Sequence, residues 1–484
     1  MPRKAAAKVL LFFESCKCIW KNASFFVILQ SERGHRTMQR GFHIISFLFA
    51  AFFCCILAQA QPYYTRVLQR DIHTLRVRYV GSEQPQRPYL LLSEDPLNGS
   101  EPTNTLEISF DEFSHDFRQY SYTVRHLDRD WTPSQLSSYE YVQGFTTADI
   151  TDYMQSINTR QSYTHYSFTF PNEDMQLLIS GNYVLHIYQD GDINNVVADV
   201  CFSVVEPEAS ISAKVRSNTD IEFDGRFQQL DIDVETTTLD VHDPSLLTLV
   251  VRQNNRLDNQ VTVTAPTYVE PRRLRYQNKR ELIFEGGNEF RHFDAYSTYY
   301  AGYHVDVIRY GQGDYHAILD ADELRGTMAK GAGREGLSYL TEQDTNGQWV
   351  VNAERTDDSD IEAEYLWVHF ALPVRQPVMD GNVFVGGDIF HNLFTADNLM
   401  QYDPDEQCYY LRAYLKQGAY DYLYYVLPSG KTPYNASTVT RTPATLLPLE
   451  GSHWQTHNAY TVYVYYRPFG CRYDRLVGLQ TISD

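Results

Sequence analysis

The sequence of 484 residues is acidic and rich in aromatic side chains, with 61 Asp and Glu against 41 Lys and Arg, and 37 tyrosines. Residues 1–60 carry a net charge of +6 and residues 61–484 a net charge of −26. Because a body this acidic repels phosphate groups, we expect neither nucleic-acid binding nor adsorption to anionic membranes. Tyrosine suits half-buried strands, so the composition favours an all-β protein of about three domains.

The first 60 residues predict a leader rather than part of the fold. From Met38, a short basic stretch precedes an apolar run and a small-residue cleavage pattern, the order that is typical of a secretory signal peptide. We therefore expect residues 38–60 to be the signal peptide and Gln61 to be the mature N-terminus, with residues 1–37 upstream of the true start. The alternative is a single signal anchor, for which the apolar run is short.

Period-two alternation of apolar and polar residues dominates the remaining chain and predicts strands throughout. Residues 75–80, 120–125 and 183–188 are examples. Turn-forming Gly, Pro, Asn and Asp residues separate these runs at the spacing of a β-sandwich. The expected fold is all-β, with tandem immunoglobulin-like or β-sandwich domains and few short helices, at residues 149–156 and 321–329.

Proline-containing junctions predict three domains. A Glu-Pro-Glu junction closes the first domain, at residues 61–208. A Pro-Val-Arg-Gln-Pro junction then separates a second domain, at residues 209–376, from a third at residues 377–484. Within the second domain, residues 320–360 are rich in Gly, Asp and Glu and predict an elaborated loop.

Tyrosine and valine alternate along residues 460–466, which places aromatic rings on both faces of one strand. A strand of this kind belongs either to a core packed with aromatic rings or to an exposed binding surface.

The sequence contains no complete catalytic or metal-binding motif. His453 and His457 have the spacing of a zinc-protease helix, but the glutamate base is missing and the segment follows a loop. The acidic residues 357–364 lack the glycine of a calcium loop, which favours a solvated acidic loop. We expect no catalytic residue, cofactor, metal or small-molecule substrate. A hydrolase with paired carboxylates stays an alternative, because only their separation in space decides it.

Three of the seven cysteines lie outside the leader: Cys201, Cys408 and Cys471. No CxxC spacing suggests zinc or redox chemistry. Cys408 and Cys471 fall in the same predicted domain, and the sequence leaves open whether they form a disulfide.

Two groups of segments carry a family resemblance. The first group is Trp131-Thr-Pro-Ser134, Glu140-Tyr-Val-Gln-Gly-Phe145, Tyr163-Thr-His-Tyr166 and Ser180-Gly-Asn-Tyr183. The second is Tyr414-Leu-Lys-Gln-Gly418, Tyr420-Asp-Tyr422, Leu449-Glu-Gly451 and Val464-Tyr-Tyr-Arg-Pro468. Together these segments resemble the plug protein family of the type IX secretion system of Bacteroidota, with residues 61–208 as its N-terminal domain.

The resemblance implies a non-enzymatic periplasmic protein at the inner face of the outer membrane, exported by a cleavable signal peptide and not inserted into the membrane. Its implied partner is the giant outer-membrane β-barrel translocon, whose pore it would seal while no cargo is engaged. Exposed aromatic residues often anchor interfaces. The candidate contacts with the translocon are therefore Tyr139, Tyr141, Phe145, Tyr463 and Tyr465.

The alternative function is glycan binding by a secreted or periplasmic β-sandwich protein. Its support is the aromatic strand and the likeness of the third predicted domain to the early-set immunoglobulin-like modules of starch-active enzymes. An exposed row of Trp and Tyr would favour glycan binding, and a buried aromatic face would favour the plug.

Overall fold

Alternating apolar and polar residues form strands along most of the chain, and the computed structural model shows how these strands pair. It describes residues 62–82, 89–92, 104–223, 225–236, 238–239, 241–332, 339, 341–430 and 443–483. The expected signal peptide lies outside these residues. Residues 60–484 form one compact unit.

The described residues contain thirty strands, two one-turn α-helices and four short 3-10 helices. The first twelve strands are β1 (Arg66–Val67), β2 (Ile72–Tyr79), β3 (Tyr89–Leu91), β4 (Leu106–Glu112), β5 (Tyr120–Leu127), β6 (Val142–Gly144), β7 (Thr147–Ile150), β8 (Asp152–Gln155), β9 (Thr164–Phe170), β10 (Met175–Leu177), β11 (Gly181–Gln189) and β12 (Val196–Val205). The next ten are β13 (Ser210–Arg216), β14 (Phe227–Glu235), β15 (Leu247–Gln253), β16 (Val261–Val263), β17 (Tyr268–Glu270), β18 (Arg273–Tyr276), β19 (Ile283–Glu285), β20 (Arg291–Asp294), β21 (Val305–Gly311) and β22 (Asp314–Leu319). The last eight are β23 (Trp349–Val351), β24 (Tyr365–Pro373), β25 (Gly381–Gly386), β26 (Gln401–Asp403), β27 (Cys408–Lys416), β28 (Gly418–Pro428), β29 (Ala459–Tyr466) and β30 (Arg475–Ser483). The helices are α1 (Ser138–Tyr141) and α2 (Ser359–Glu362), with 3-10 turns at Pro244–Leu246, Arg280–Leu282, Thr327–Ala332 and Asp388–Phe390.

The first sandwich packs two antiparallel sheets around an aromatic core. One sheet has the order β1-β12-β11-β5-β7, with β3 parallel to β12, and the other has the order β2-β4-β9-β8. The ring of Phe110 packs against Tyr120 at 5.2 Å and Tyr166 at 5.3 Å between ring centres. Aromatic contacts of this kind add to the free energy gained from burial, which explains the use of tyrosine inside the protein.

The second and third sandwiches have separate cores. The second joins the sheet β13-β14-β18-β17, with β19 beside β14, to the sheet β16-β15-β29-β30. The third joins β20-β28-β23, with β25 beside β28, to the sheet β21-β22-β24-β27-β26. The expected all-β fold of tandem sandwiches with few short helices is therefore confirmed.

The second sandwich is built from two separate stretches of the chain. Strand β15 pairs with β29 in antiparallel register from Leu247 opposite Tyr466 to Gln253 opposite Tyr460. The third sandwich thus lies, in sequence, between two parts of the second. The predicted boundary at 376/377 falls between β24 and β25, which belong to the same sandwich. Pairing between residues so far apart leaves no local signal in the sequence.

The predicted helix at residues 149–156 was wrong, because these residues form parts of β7 and β8. Strand β8 lies at the edge of its sheet and all four of its residues are exposed, so it lacks the alternating burial that marks an inner strand. The second predicted helix, at residues 321–329, becomes helical only from Thr327, as a 3-10 turn.

The three cysteines that the structure describes are unpaired. Cys201, Cys408 and Cys471 are all free thiols in the structure, and Cys408 is buried. Desolvation raises the pKa of both Cys201 and Cys408, as expected of small buried residues rather than reactive thiols.

A buried ion pair joins the first sandwich to the third. The Lys416 Nζ of β27 lies 2.6 Å from the Asp111 Oδ2 of β4, and both side chains are almost completely buried. The Tyr365 hydroxyl donates to Asp111 Oδ2 at 2.6 Å, and His165 Nδ1 lies 2.6 Å from Asp111 Oδ1. We call these four residues the clasp.

Further hydrogen bonds and an ion pair surround the clasp. Lys416 Nζ also donates to the backbone oxygen of Asp360 at 2.7 Å, and the Asp360 carboxylate pairs with Arg76. Burial alone would raise the pKa of Asp111, but the charges and hydrogen bonds of Lys416 and His165 hold that pKa down to about 2. The stabilisation from the Asp111 carboxylate is therefore present above about pH 4 and is lost as the pH falls towards 2.

We expect Lys416→Met to lower the free energy of unfolding by about 3–5 kcal/mol, because it leaves the Asp111 carboxylate buried without a counter-ion. Urea titration of residues 60–484 measures the change. Arg226→Met, which removes a partly exposed ion pair with Glu222, is the control and should cost about 0–1 kcal/mol. Equal losses in the two variants would contradict the role of the clasp.

An unusual carboxylate lies in the acidic segment 320–360. Asp344 Oδ2 accepts a hydrogen bond from Phe290 N at 2.5 Å, and Asp344 Oδ1 accepts one from Asn346 N at 2.9 Å. Burial outweighs these bonds and raises the pKa of Asp344 to about 7 from 3.8. The unfolded chain therefore loses this proton at a lower pH than the folded chain does, and stability falls as the pH rises from about 4 to about 7.

We expect Asp344→Asn to be more stable than the wild type at pH 8, with a gain that shrinks as the pH is lowered and disappears by about pH 4. Thermal unfolding across this pH range measures the difference. Asp357→Asn, at an exposed carboxylate of the same segment, is the control and should show no such trend. A gain for Asp344→Asn that does not vary with pH would disprove the titration.

Candidate partner interface

The structure separates the five predicted contact residues into two groups. Tyr139 and Phe145 are exposed, at 81% and 66% of their surface, whereas Tyr141, Tyr463 and Tyr465 are buried. Only the first two are thus available to a partner in this conformation.

Tyr139 is exposed and Tyr141 is buried because both lie in the single helical turn of α1. Residues two apart in a helix point about 200° from each other around its axis, so one faces the core when the other faces solvent. The Tyr141 hydroxyl donates to the Val124 oxygen at 3.4 Å. At the start of the turn, the Ser137 N–H donates to the Glu140 carboxylate at 2.9 Å, which satisfies a free backbone donor.

The backbone on the other side of α1 fixes Phe145. Strand β6 pairs with β10, and Phe145 N donates to the Asp174 oxygen at 2.8 Å. The preceding Gly144 has a φ of +98°, and a Cβ there would lie 2.2 Å from the Asp174 oxygen. Glycine is therefore required for the close approach that turns Phe145 outwards.

A loop from the far end of the chain lies beside α1. Arg472 forms an ion pair with Glu140, and Asp474 Oδ1 lies 2.9 Å from Arg129 Nη1. Phe469, in the same loop, is completely exposed. We call Tyr139, Phe145 and Phe469 the corner aromatics.

The tyrosines of β29 are interior residues. All eight residues of this strand are buried between β15 and β30. The Tyr465 hydroxyl donates to Asn182 Oδ1 in β11 at 2.8 Å, which ties the second sandwich to the first. This buried face is what the plug interpretation expects, and it lacks the exposed aromatic row that would favour glycan binding.

Phe469 and Tyr153 are among the exposed aromatic residues that sequence reasoning missed. Phe469 lies between Pro468 and Gly470, and an aromatic residue in such a turn is the signal that could have found it. Tyr153 on the edge strand β8 is also exposed, and its ring lies 4.7 Å from that of Phe117. Because the sequence pattern predicts a helix in this segment, it gives no indication of the edge strand.

The two histidines that suggested zinc do not share a site. His457 Nδ1 lies 2.8 Å from the Glu289 carboxylate, while burial lowers the pKa of His453. Within the part of the chain that the structure describes, no group of three or more His, Cys, Asp or Glu side chains is arranged to hold a metal ion.

The acidic residues 357–364 serve the fold. Asp358 accepts a hydrogen bond from Asp360 N at the start of α2. Glu364 accepts hydrogen bonds from the backbone of Arg160 at 2.6 Å and Gln161 at 3.1 Å. This segment thus joins the third sandwich to the first and is not simply a solvated loop.

Two cavities lie where the sandwiches meet. The larger is an open cleft of about 1100 Å³ whose walls include Trp367, Arg412 and Tyr414. The smaller, of about 180 Å³, is lined by Trp131 and Arg252 among others. Over the described ranges, no helix is long and apolar enough to cross a membrane.

Comparison with known proteins identifies a domain and a structural relative. Residues 72–206, which are the first sandwich from β2 to the end of β12, match the family model described as "Type 9 secretion system plug protein 1st domain". The chain is similar to the crystal structure of a hypothetical protein from Parabacteroides merdae, with 34% sequence identity and a TM-score of 0.79. The match covers 87% of this chain and 100% of that chain.

The other comparisons do not bear on the fold or the function of this chain. The alkylpurine DNA glycosylase AlkC of Pseudomonas fluorescens is matched over 28% of this chain and 30% of that chain, with 11% identity and a TM-score of 0.15. No curated protein matches the chain.

We expect Gly144→Ala to destabilise the protein by clearly more than 1 kcal/mol, because the added Cβ would clash with the Asp174 backbone at a positive φ. Gly191→Ala is the matched control, since Gly191 also has a positive φ of +68° but no atom within 4 Å of the added Cβ. It should cost about 1 kcal/mol. Urea unfolding of both variants measures the difference, and equal costs would show that the close approach is unimportant.

Proposed function

The chain belongs to the type 9 secretion system plug protein family, and from this premise we propose that it closes the pore of the outer-membrane translocon. It docks against the periplasmic mouth of the giant β-barrel and blocks the pore while no cargo is engaged. The protein acts by binding, without catalytic residues or a cofactor.

The observation that carries the proposal is the family match over residues 72–206. The matched residues include every strand of the first sandwich except β1, so the domain named by the family is present as a folded unit. The implied role in type IX secretion also agrees with an envelope location and with the signal peptide expected at residues 38–60.

The structure supports the mechanical part of the proposal. A pore wide enough for folded cargo leaks solutes unless a body that does not deform occupies its mouth. The clasp and the Glu364 contacts join the first and third sandwiches through buried charged groups. Separating the two sandwiches would expose these groups unpaired, which is costly, so the protein resists bending there.

The corner aromatics are the surface that we propose for docking. Exposed aromatic rings are the side chains that most often anchor interfaces, and a stable interface buries about 1,200–2,000 Å² in total. Tyr139 and Phe145 belong to the domain that defines the family, and Phe469 extends the surface into the C-terminal loop. Release on cargo engagement requires the translocon to bind the plug less tightly in its loaded state than in its empty state.

Glycan binding is the second candidate, and the open cleft favours it. The Trp367 ring lies 4.6 Å from that of Tyr414, and Arg412 stacks on Trp367 at 4.4 Å. Sugar rings pack on aromatic walls of this kind by apolar contact. Retention of the protein on a polysaccharide column, abolished by Trp367→Ala, would support this candidate.

We expect Tyr139→Ala/Phe145→Ala to lower the amount of large outer-membrane barrel that copurifies with the tagged protein from its native cells by about tenfold or more, because anchor residues dominate binding. The cells should then admit large antibiotics that the intact outer membrane excludes. Mass spectrometry of the purified complex and antibiotic sensitivity measure the two effects.

The matched control is Tyr299→Ala/Phe223→Ala, which removes the same side-chain types at positions that are 85% and 77% exposed. It should leave both readouts unchanged. Loss of the barrel from the control as well would contradict the docking surface, and absence of any barrel with the wild-type protein would contradict the plug function.

A further inference from the structure

An arginine that forms no ion pair with any residue the structure describes lies inside the smaller cavity. Arg252, in β15, is only 5% exposed. Its Nε donates to Gln260 Oε1 at 2.8 Å, and among the described residues it forms no ion pair. Its two terminal nitrogens have no hydrogen-bond partner there and are not enclosed by protein atoms, so they face the cavity.

Aromatic rings hold the guanidinium in place. The Arg252 Cζ lies 5.1 Å from the ring centre of Trp131 and 5.3 Å from that of Tyr463. These cation–π contacts and the bond to Gln260 fix the orientation of the side chain. The edge with the two terminal nitrogens stays free, which is the edge that binds a carboxylate through two parallel hydrogen bonds.

Arg252 forms no ion pair with the other charged residues that line the cavity. Two of these residues are arginines, of which Arg76 pairs with Asp360 and Arg78 with Glu107. The third is the carboxylate Asp388, which accepts a hydrogen bond from Asn392. Placing an unpaired cation inside a protein costs several kcal/mol unless something compensates its charge. A bound anion would provide that compensation.

The size and the lining residues of the cavity indicate which kind of anion would fit. Its volume of about 180 Å³ exceeds the ~150 Å³ that accommodates one benzene ring. The apolar side chains of Leu75, Val77 and Phe202 line it together with the aromatic rings. The cavity therefore suits a carboxylate attached to one ring or to a short aliphatic group.

We propose that this cavity is a binding site for an organic carboxylate, with Arg252 as the residue that binds the carboxylate group. The proposal is independent of pore closure, and it departs from the sequence-based expectation of no small-molecule ligand. The carboxylate belongs either to a small free acid or to the C-terminal end of a polypeptide, since both present the same group.

The test is a ¹⁹F NMR titration of residues 60–484 with 4-fluorobenzoate, and with 4-fluorobenzamide as its neutral analogue. We expect saturable binding of the benzoate, with the benzamide weaker by about tenfold or more, because it cannot form charge-assisted bonds. Arg252→Gln should weaken benzoate binding by a similar factor, and Arg252→Lys by less, since it keeps the charge.

The matched control is Arg412→Gln, because Arg412 also stacks on a tryptophan but lies outside this cavity. It should leave benzoate binding unchanged. If Arg252→Gln does not fold, the comparison of benzoate with benzamide on the wild type and the Arg252→Lys variant still tests the site.

Competition by N-acetylphenylalanine identifies the source of the carboxylate. Stronger displacement than by benzoate itself indicates a polypeptide C-terminus, and weaker displacement indicates a small free acid. Equal binding of benzoate and benzamide would overturn the proposal, as would equal competition by inorganic phosphate or a loss in Arg412→Gln that matches the loss in Arg252→Gln.

Discussion

The relative placement of the first and third sandwiches depends on the ion pair between Asp111 and Lys416. Both side chains are withdrawn from water, so the cost of desolvation is recovered only while the two charges and their hydrogen bonds keep their geometry. An apolar contact of the same area would tolerate sliding and rotation, because the hydrophobic effect has no direction. The clasp therefore contributes orientation as well as attraction, and a body that occludes a pore needs a fixed orientation.

The second constraint is the return of the chain to its second sandwich. Strand β29 completes the sheet that β15 begins, so the second sandwich cannot form its full core until nearly all of the chain is present. The same return brings the loop with Phe469 and Arg472 next to α1 of the first sandwich. The proposed docking surface is consequently built from both ends of the folded chain, although the family match covers only the first sandwich.

Local pattern predicted the strands and the fold class, because alternation of apolar and polar residues is a local property. The same pattern could not distinguish a buried aromatic strand from an exposed one, so Tyr463 and Tyr465 were chosen as contacts although β29 lies between two neighbours. The turn at Tyr139 and Phe145 stays a prediction, which rests on the tendency of exposed aromatic residues to anchor interfaces. Arg252 could not be found from the sequence, because its lack of an ion pair among the described residues is visible only in three dimensions.

The carboxylate cavity lies where the three sandwiches meet. Trp131 comes from the first sandwich, Arg252 and Tyr463 from the second, and His391 from the third. Any ligand that binds this folded arrangement more tightly than a separated one stabilises the arrangement by mass action. Occupancy of the cavity would therefore stiffen the junction to which the clasp already contributes. A ligand that alters the orientation of the sandwiches would shift Phe469 relative to Tyr139 without touching the corner aromatics.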